Sequence, residues 1–301
     1  MSDLPRITLV TPSYQQGHFL EATIDSVLSQ GYPNLEYRII DGGSRDQSVA
    51  VIRRYARYLD LWVSEKDAGQ SDALIKGFCN ATGEVMNWLN ADDLLRPNAL
   101  HAVADAWMRQ KCTMIVGEDD HFTDHPGQPT RHFVPAGYVA PGCLRFWTGD
   151  FRYHQPPTFF AREAYLAVGG LRADLHYVMD YDLYCRMLML PDVRVQYIPH
   201  TLSAFRLHAA AKTARAKACF LRELRVVSRS LWPAGWDVAN EAAAMDRYCA
   251  ECSVYQAAES LREADYTGAA RNLARSVRYA PTRVFRMLAE RAVKRAPLRR
   301  R

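Results

Sequence analysis

Two adjacent carboxylates, Asp92 and Asp93, close a short and mostly apolar run, Glu84-Val85-Met86-Asn87-Trp88-Leu89, of the kind that forms a buried strand. Like charges at such a place repel each other and are costly to desolvate. They are tolerated where a cation or a set of donors occupies the space between them. The plainer alternative is a solvated turn and an Asp cap on a helix over Pro97–Arg109. Three more polar clusters bear on the choice: Thr11-Pro12-Ser13-Tyr14, Asp41-Gly42-Gly43-Ser44 and Glu65-Lys66-Asp67-Ala68-Gly69-Gln70. Acids in such loops suit two tasks. They accept hydrogen bonds from base N–H groups or ribose hydroxyls, and they ligate a hard divalent ion that bridges a diphosphate. A nucleoside diphosphate therefore fits, with Asp41 toward the base, Asp92 toward ribose or metal, and Asp93 toward metal. The chain has no G-x-G-x-x-G opening a helix and no G-x-x-x-x-G-K-[ST], so neither a dinucleotide fold nor a P-loop is supported.

The elements that must position these loops alternate through residue 117. Arg6–Thr11, Leu35–Ile40, Asp60–Ser64, Glu84–Leu89 and Thr113–Val116 read as strands, and helices are predicted over His18–Gln30, Gln47–Tyr58, Ser71–Cys79 and Asn98–Arg109. Such alternation implies right-handed crossovers and a mostly parallel sheet. Ligands then sit beyond the carboxyl ends of the strands, where all four polar clusters fall. Residues 118–160 read as irregular with short strands. Helices resume at Arg162–Val168 and Asp180–Leu190, with strands near Val193–Ile198 and Leu202–Arg206, and from Lys212 onward the chain reads as helical. Ala269, Leu273 and Pro281 have the spacing of the second helix of a tetratricopeptide repeat; one such unit predicts a helical hairpin, not an array.

The 301 residues, 49% hydrophobic and 24% charged, suit an ordinary globular protein. No secretory signal opens the chain and no apolar run is long enough to cross a membrane, which needs about 18 residues. Seven scattered cysteines fit reduced thiols in the cytoplasm, and the lone pair Cys249-Ala-Glu-Cys252 lacks the partners of a zinc site. The net charge of +5 conceals an asymmetry: from Arg271 to Arg301 eleven Lys/Arg stand against Glu290, so the tail carries +10 and residues 1–270 sum to −5. Such a tail favours an anionic surface.

The segments TPSYQQGHFL, DGGSRDQS, SEKDAGQSDA, WLNADD, MDYDLYCR and FRLHAAAKT, in this order, resemble family 2 glycosyltransferases of the GT-A type, from about Arg6 to Thr213. The resemblance implies a Rossmann-like α/β fold, a mostly parallel central sheet flanked by helices, with a C-terminal helical extension. It implies a glycosyltransferase domain over 1–211, with a nucleotide-sugar half (1–117) and an acceptor and catalytic half (118–211), followed by an extension over 212–301. Thr11, Pro12, Ser13 and Tyr14 would line the nucleotide pocket; Asp41 would contact the base, with Asp67 and Gln70 nearby. Asp72 either caps the helix from Ala73 or joins the site, since the family has Asp there too. Asn90-Ala91-Asp92-Asp93 stands where the family has a D-x-D-type metal motif; Asn90 removes one charge and leaves two carboxylates. Asp180, before the family's x-D-L-x-x-R pattern, would be the catalytic base, and Met179 replaces a Glu common there. His208 resembles a family His that contacts metal or diphosphate. Gln155 matches the Gln of a Gln-Pro pair that lies between donor and acceptor sites in related proteins. Ile75 stands where close relatives tend to have Asn.

The chemistry asks for the same groups. A carboxylate must take the proton of the attacking hydroxyl, and positive charge must help the diphosphate leave, supplied by the metal and Lys212. Trp147, Tyr153 and Tyr177 are candidates to stack on sugar at the acceptor side with His154 and Gln155. Asp182 is set to pair with Arg186 one helical turn on, and Asp46 reads as a turn residue. The expectation is a metal-dependent inverting glycosyltransferase using Mn2+ or Mg2+, with UDP-sugar the default donor. Its acceptor would be a glycan or lipid-linked hydroxyl in bacterial cell-surface polysaccharide synthesis. The enzyme would be cytoplasmic, held at the inner membrane face by its basic tail, with no nucleic-acid partner. Two rivals are a non-catalytic nucleotide- or glycan-binding scaffold and a sugar-phosphate nucleotidyltransferase, which would need a basic glycine-rich loop absent from Thr11–Gly17.

Overall fold

Ile7–Ser13 (β1) is buried at every position, as a strand with neighbours on both edges and helices on its faces must be. The computed structural model of the protein describes residues 4–212, 216–285 and 287. It contains β1, Gly17–Leu28 (α1), Leu35–Asp41 (β2), Ser48–Tyr55 (α2), Leu61–Ser64 (β3), Gln70–Phe78 (α3), Val85–Trp88 (β4), Leu94–Leu95 (β5) and Ala99–Arg109 (α4). Then come Met114–Phe122 (β6), Arg131–Phe133 (β7), Thr158–Ala161 (β8), Arg162–Ala167 (α5), Met179–Leu188 (α6) and Val195–Arg206 (β9). Lys217–Ser230 (α7), Val238–Arg262 (α8) and Tyr266–Tyr279 (α9) follow.

One mixed sheet runs in the order β3-β2-β1-β4-β8-β6-β9-β5, with β7 on β6. The first four strands are mutually parallel, and β6 with β9 is parallel again. The antiparallel β8 joins the two halves, between β4 and β6. The core is made of the apolar residues of β1, β2, β4 and β6 with the inner faces of the helices, Leu20, Ile24, Val27, Leu74, Leu100 and Val103 among them.

Three expected boundaries are corrected. The strand expected to end at Val116 runs on to Phe122, because Glu118, Asp119 and Asp120 find partners along β9. The two strands expected around Val193–Ile198 and Leu202–Arg206 are one, β9, which bulges past Pro199 against Gly117. Gly117 is required there: a Cβ would lie 2.5 Å from Leu202. The helix expected through Tyr58 leaves α-helical geometry after Tyr55 and ends in a 3-10 turn, Ala56–Tyr58.

The chain divides into two compact units, Met1–Leu144 with Asp150–Arg215, and Arg145–Gly149 with Ala216–Arg301. In the second, Leu221, Met245 and Cys249 form a core to which Phe146, Trp147, Trp232 and Tyr279 add. Helices α8 and α9 pack together as the expected hairpin. No helix among the described residues is long and apolar enough to cross a membrane. The basic residues Arg286, Arg291, Lys294, Arg295, Arg299, Arg300 and Arg301 lie outside the described residues.

Candidate active site

Ser13, Asp41 and Ser64 stand in register at the ends of three adjacent parallel strands. Asp41 has no exposed surface, and both its oxygens build the loop that follows it. Oδ2 accepts from Gly43 N (3.1 Å), Ser44 N (2.8 Å) and Ser64 Oγ (2.7 Å), and Oδ1 from Ser44 Oγ (2.5 Å). Asp67 abuts the same loop. Its Oδ1 accepts from Gly69 N at 2.9 Å, and a Cβ on Gly42 would fall 2.7 Å from its Oδ2, so a side chain at position 42 would have to displace the Asp67 carboxylate. Thr11 is fully buried with its hydroxyl 3.1 Å from Tyr37 OH, so it serves the core and offers no side-chain group to a ligand. Pro12 is buried with it. Ser13 is buried with its Oγ lacking a hydrogen-bond partner, and Tyr14 is 62% exposed at the strand's end.

The third and fourth loops are joined by a chain of polar contacts. Lys212 Nζ donates to Gln70 Oε1 (2.8 Å) and to His176 O (2.8 Å), and lies over the Tyr177 ring. Gln70 Nε2 donates to Asn90 Oδ1 (2.8 Å), and Asn90 Nδ2 donates to Asp93 Oδ2 (3.1 Å). Position 90 must therefore accept on one side and donate on the other, which an amide does and a carboxylate does not. Asp72 falls in the first turn of α3, which begins at Gln70 and not Ala73. It accepts from Ala68 N (3.1 Å), one residue before the N-cap Gly69, and pairs with Lys76.

Asp92 and Asp93 have separate surroundings. Asp92 Oδ2 lies 2.9 Å from His208 Nε2 and accepts from Gln16 Nε2 at 3.2 Å, while its backbone carbonyl accepts from Arg206 Nε. Ala91, between them and Asn90, is buried, and its carbonyl accepts from Thr23 Oγ1. Asp93 is fully buried: Oδ1 accepts from Arg206 N (3.0 Å) and Oδ2 from Asn90. Burial, followed by the charge of Asp92, pushes its carboxyl well above the usual range. The expected metal set Asp92, Asp93 and His208 thus resolves into a close pair, Asp92 with His208, and a buried carboxyl that braces it.

Asp180 is the second residue of α6 and is half-buried, with Oδ1 accepting from Tyr181 N at 2.8 Å. Burial pushes its carboxyl up to about 6, against the Tyr181 N–H and the nearby charges of His154 and Lys212. Asp182 is fully buried and holds Arg186 through Nε (2.8 Å) and Nη2 (2.5 Å), the ion pair its spacing predicts. Gln155 Nε2 is clamped to Asn87 Oδ1 (3.0 Å) and Trp88 O (2.7 Å) at the end of β4, and its buried Oε1 has no hydrogen-bond partner. His154 stands 2.6 Å from Asp119 Oδ2 and stacks on His121. Trp147 belongs to the second unit, where it packs against Phe146 and Trp232. Tyr153 is packed among Phe151, Tyr181 and Tyr184.

Residues 8–165, just over half of the chain, match the family model described as Glycosyl transferase family 2. The chain belongs to this family. Among relatives of this glycosyltransferase, O-antigen biosynthesis protein RfbC of Myxococcus xanthus is 29% identical over 192 residues, covering 62% of the chain and 15% of the relative. The chain spans 30% or less of the length of the first curated relatives it matches. Its fold is that of GT-A enzymes. S. aureus TarS, solved with UDP-GlcNAc, superposes with a TM-score of 0.65 at 12% identity, over 93% of this chain and 82% of that one. The mannosyltransferase PcManGT from Pyrobaculum calidifontis, solved with GDP-Man and Mn2+, gives 0.51 at 18% identity, over 97% and 81%.

Sequence reasoning about this glycosyltransferase missed Asp119 and His121. Both lie on the second half of β6, which its acids disguise as a loop. The available signal was alternation: Asp119 and His121 are two apart on a strand, so they share a face. Among the described residues, Asp119, His121 and His154 are the one group of three whose ligand atoms lie within 4.8 Å of one another.

Proposed function

We propose that this family 2 glycosyltransferase transfers a sugar from a nucleoside diphosphate donor, by default a UDP-sugar, to a hydroxyl of a glycan or lipid-linked acceptor, with inversion. The observation that carries it is Asp180, a half-buried carboxyl that burial raises to about 6. Such a group is ionised at neutral pH yet basic enough to take a proton. In the displacement, Asp180 accepts the hydroxyl proton as the acceptor oxygen bonds to the anomeric carbon. The bond from that carbon to the diphosphate breaks on the opposite face, and the electron pair leaves with the diphosphate. Asp41, Asp67 and Gln70 shape the donor side, and Lys212 stands ready to meet the departing charge.

The donor set fits the divalent ion that the family implies. Asp92 Oδ2 and His208 Nε2, 2.9 Å apart, offer a hard oxygen and an imidazole, while the diphosphate and water would complete an Mn2+ or Mg2+ shell. Such an ion supplies positive charge to the leaving group. Support for a nucleotide-sugar donor comes from the ligands of TarS and PcManGT, and for a metal from the Mn2+ of the latter. We place the enzyme at the cytoplasmic face of the membrane, its basic tail on anionic lipid; deleting residues 288–301 should release it from anionic vesicles without loss of nucleotide binding.

The test is a melting-temperature screen of UDP, GDP and dTDP, each with and without Mn2+. Stabilisation by one base that requires Mn2+ and disappears in Asp92→Asn is the expected result. Stabilisation by none of them would remove the donor assignment, and metal-independent stabilisation would remove the Asp92–His208 assignment.

A further inference from the structure

Asp119, His121 and His154 bring together three buried polar atoms, none of which makes an aligned hydrogen bond. Asp119 has no exposed surface; its Oδ1 accepts from Ser203 Oγ at 2.5 Å, and Oδ2 has no hydrogen-bond partner. His121 Nε2 and His154 Nδ1 are likewise buried without a hydrogen-bond partner, on side chains only 12% and 20% exposed. Buried polar atoms are ordinarily satisfied, and three orphans facing one another call for a shared partner. Water or a single proton does this poorly. Asp119 Oδ2 is 2.6 Å from His154 Nδ1 and 3.5 Å from His121 Nε2, yet neither contact has hydrogen-bond alignment.

The placement follows from the sheet. Asp119 and His121 share a face of β6. β8 is antiparallel to β6, with Val116 opposite Thr158, so the chain entering β8 brings His154 alongside this stretch. We infer that Asp119 Oδ2, His121 Nε2 and His154 Nδ1 bind one zinc-class divalent ion, at a site separate from that of Asp92 and His208. Two imidazoles and one carboxylate are a zinc ligand set. Ligand atoms around tetrahedral zinc stand roughly 3.3 Å apart, given metal–ligand lengths of about 2.0–2.1 Å; the two Asp119–His separations, 2.6 and 3.5 Å, fall on either side of that spacing, and all three atoms lie within 4.8 Å of one another. Phe133 and Phe205 pack against the imidazoles, with ring centroids 4.8–6.1 Å away. They leave little room for the six oxygens that Mg2+ or Mn2+ prefers. The Ser203 hydroxyl on Asp119 Oδ1 is the supporting contact that orients the carboxylate.

The ion's effect would be to tie the segment between β7 and β8 to the sheet. Gln155, next to His154, holds Asn87 and Trp88 at the end of β4, just ahead of Asn90 and Asp92. The bound ion would thereby steady the loop of the donor site.

The test uses the full chain stripped with EDTA, dialysed and reloaded with Zn2+, with metal content read by mass spectrometry. One Zn2+ per chain is expected to survive dialysis against metal-free buffer, and to be retained by Asp92→Asn. His121→Gln and His154→Gln should each lower Zn2+ affinity at least 100-fold. X-ray absorption at the zinc edge of the parent protein reads the ligands without any substitution, and two imidazoles are expected. No retained zinc, zinc kept by both His variants, zinc lost from Asp92→Asn, or a shell without imidazole would each overturn the assignment.

Discussion

Two pairs of carboxylates, Asp92 with Asp93 and Asp180 with Asp182, are divided in the same way by the fold and supported by opposite means. In each pair one member keeps some exposed surface and the other is fully buried as a brace. Asp93 is braced by neutral donors, the Arg206 amide and the Asn90 amide group. Asp182 is braced by two guanidinium groups, those of Arg186 and Arg172. Neutral donors leave a buried carboxyl poorly compensated, and Asp93 is pushed up accordingly. A guanidinium compensates the charge, but leaves a buried cation behind if the acid is removed. One brace should therefore tolerate neutralisation and the other should not.

The largest effect is expected at Asp180, the only one of the four assigned to move a proton. Asp180→Asn should lower kcat by roughly 10³-fold, read as donor-dependent nucleoside diphosphate release, with nucleotide-induced melting shifts unchanged. In the parent, kcat/KM should rise with pH through about 6 as the base ionises. Stability moves the other way. A carboxyl raised on folding contributes stability that is full below its unfolded pKa and is lost as pH rises through the folded value near 6. Asp180→Asn escapes that loss, so it should melt above the parent at pH 7, with the gap narrowing toward pH 4. An active variant, or a gap that widens on acidification, refutes the role.

Asp182→Asn comes next, and its cost is to the fold. It leaves Arg186 and Arg172 without their buried counter-charge, which should cost about 3–5 kcal/mol in denaturant unfolding. Asp93→Asn removes the charge but turns one of the two accepting oxygens into a donor that faces Asn90 Nδ2 or Arg206 N, so it should cost about 1–2 kcal/mol, less than Asp182→Asn. Equal losses at the two positions would erase the distinction between neutral and ionic bracing.

Much of this layout was legible in the sequence, for physical reasons that also mark where legibility stopped. β1 to β4 are apolar runs, because strands covered on both faces must be. The four polar loops fell beyond their ends, because a parallel sheet puts its loops there. Asp182 was legible as the partner of Arg186 from helical spacing alone. What stayed hidden depended on distant neighbours. The end of β6 is rich in acids that read as loop until β9 is laid beside them. Trp147 belongs to a five-residue segment that sides with helices some 70 residues further on. The bracing of Asp93 could not be read, because its donors come from β9 and from Asn90, which sequence comparison alone marked as a deficit.

Asn90→Asp should show the smallest effect and discriminates most finely. As a lost metal ligand, Asn90 would be improved by restoring the family's acid, giving tighter Mn2+-dependent nucleotide binding. The structure gives the reverse expectation. Asn90 accepts from Gln70 and donates to Asp93, so a carboxylate there faces the Asp93 carboxyl in place of a donor. The exchange should cost about 1–2 kcal/mol, a buried hydrogen bond replaced by repulsion. The cost should shrink as pH falls and either carboxyl takes up a proton to share across the gap. Unfolding curves at pH 7 and pH 5, with Mn2+ titrations of the nucleotide shift beside them, decide between the two. A variant as stable as the parent at pH 7 that also binds Mn2+ more tightly would make Asn90 a missing ligand, and the amide's two-sided contact an accident of packing.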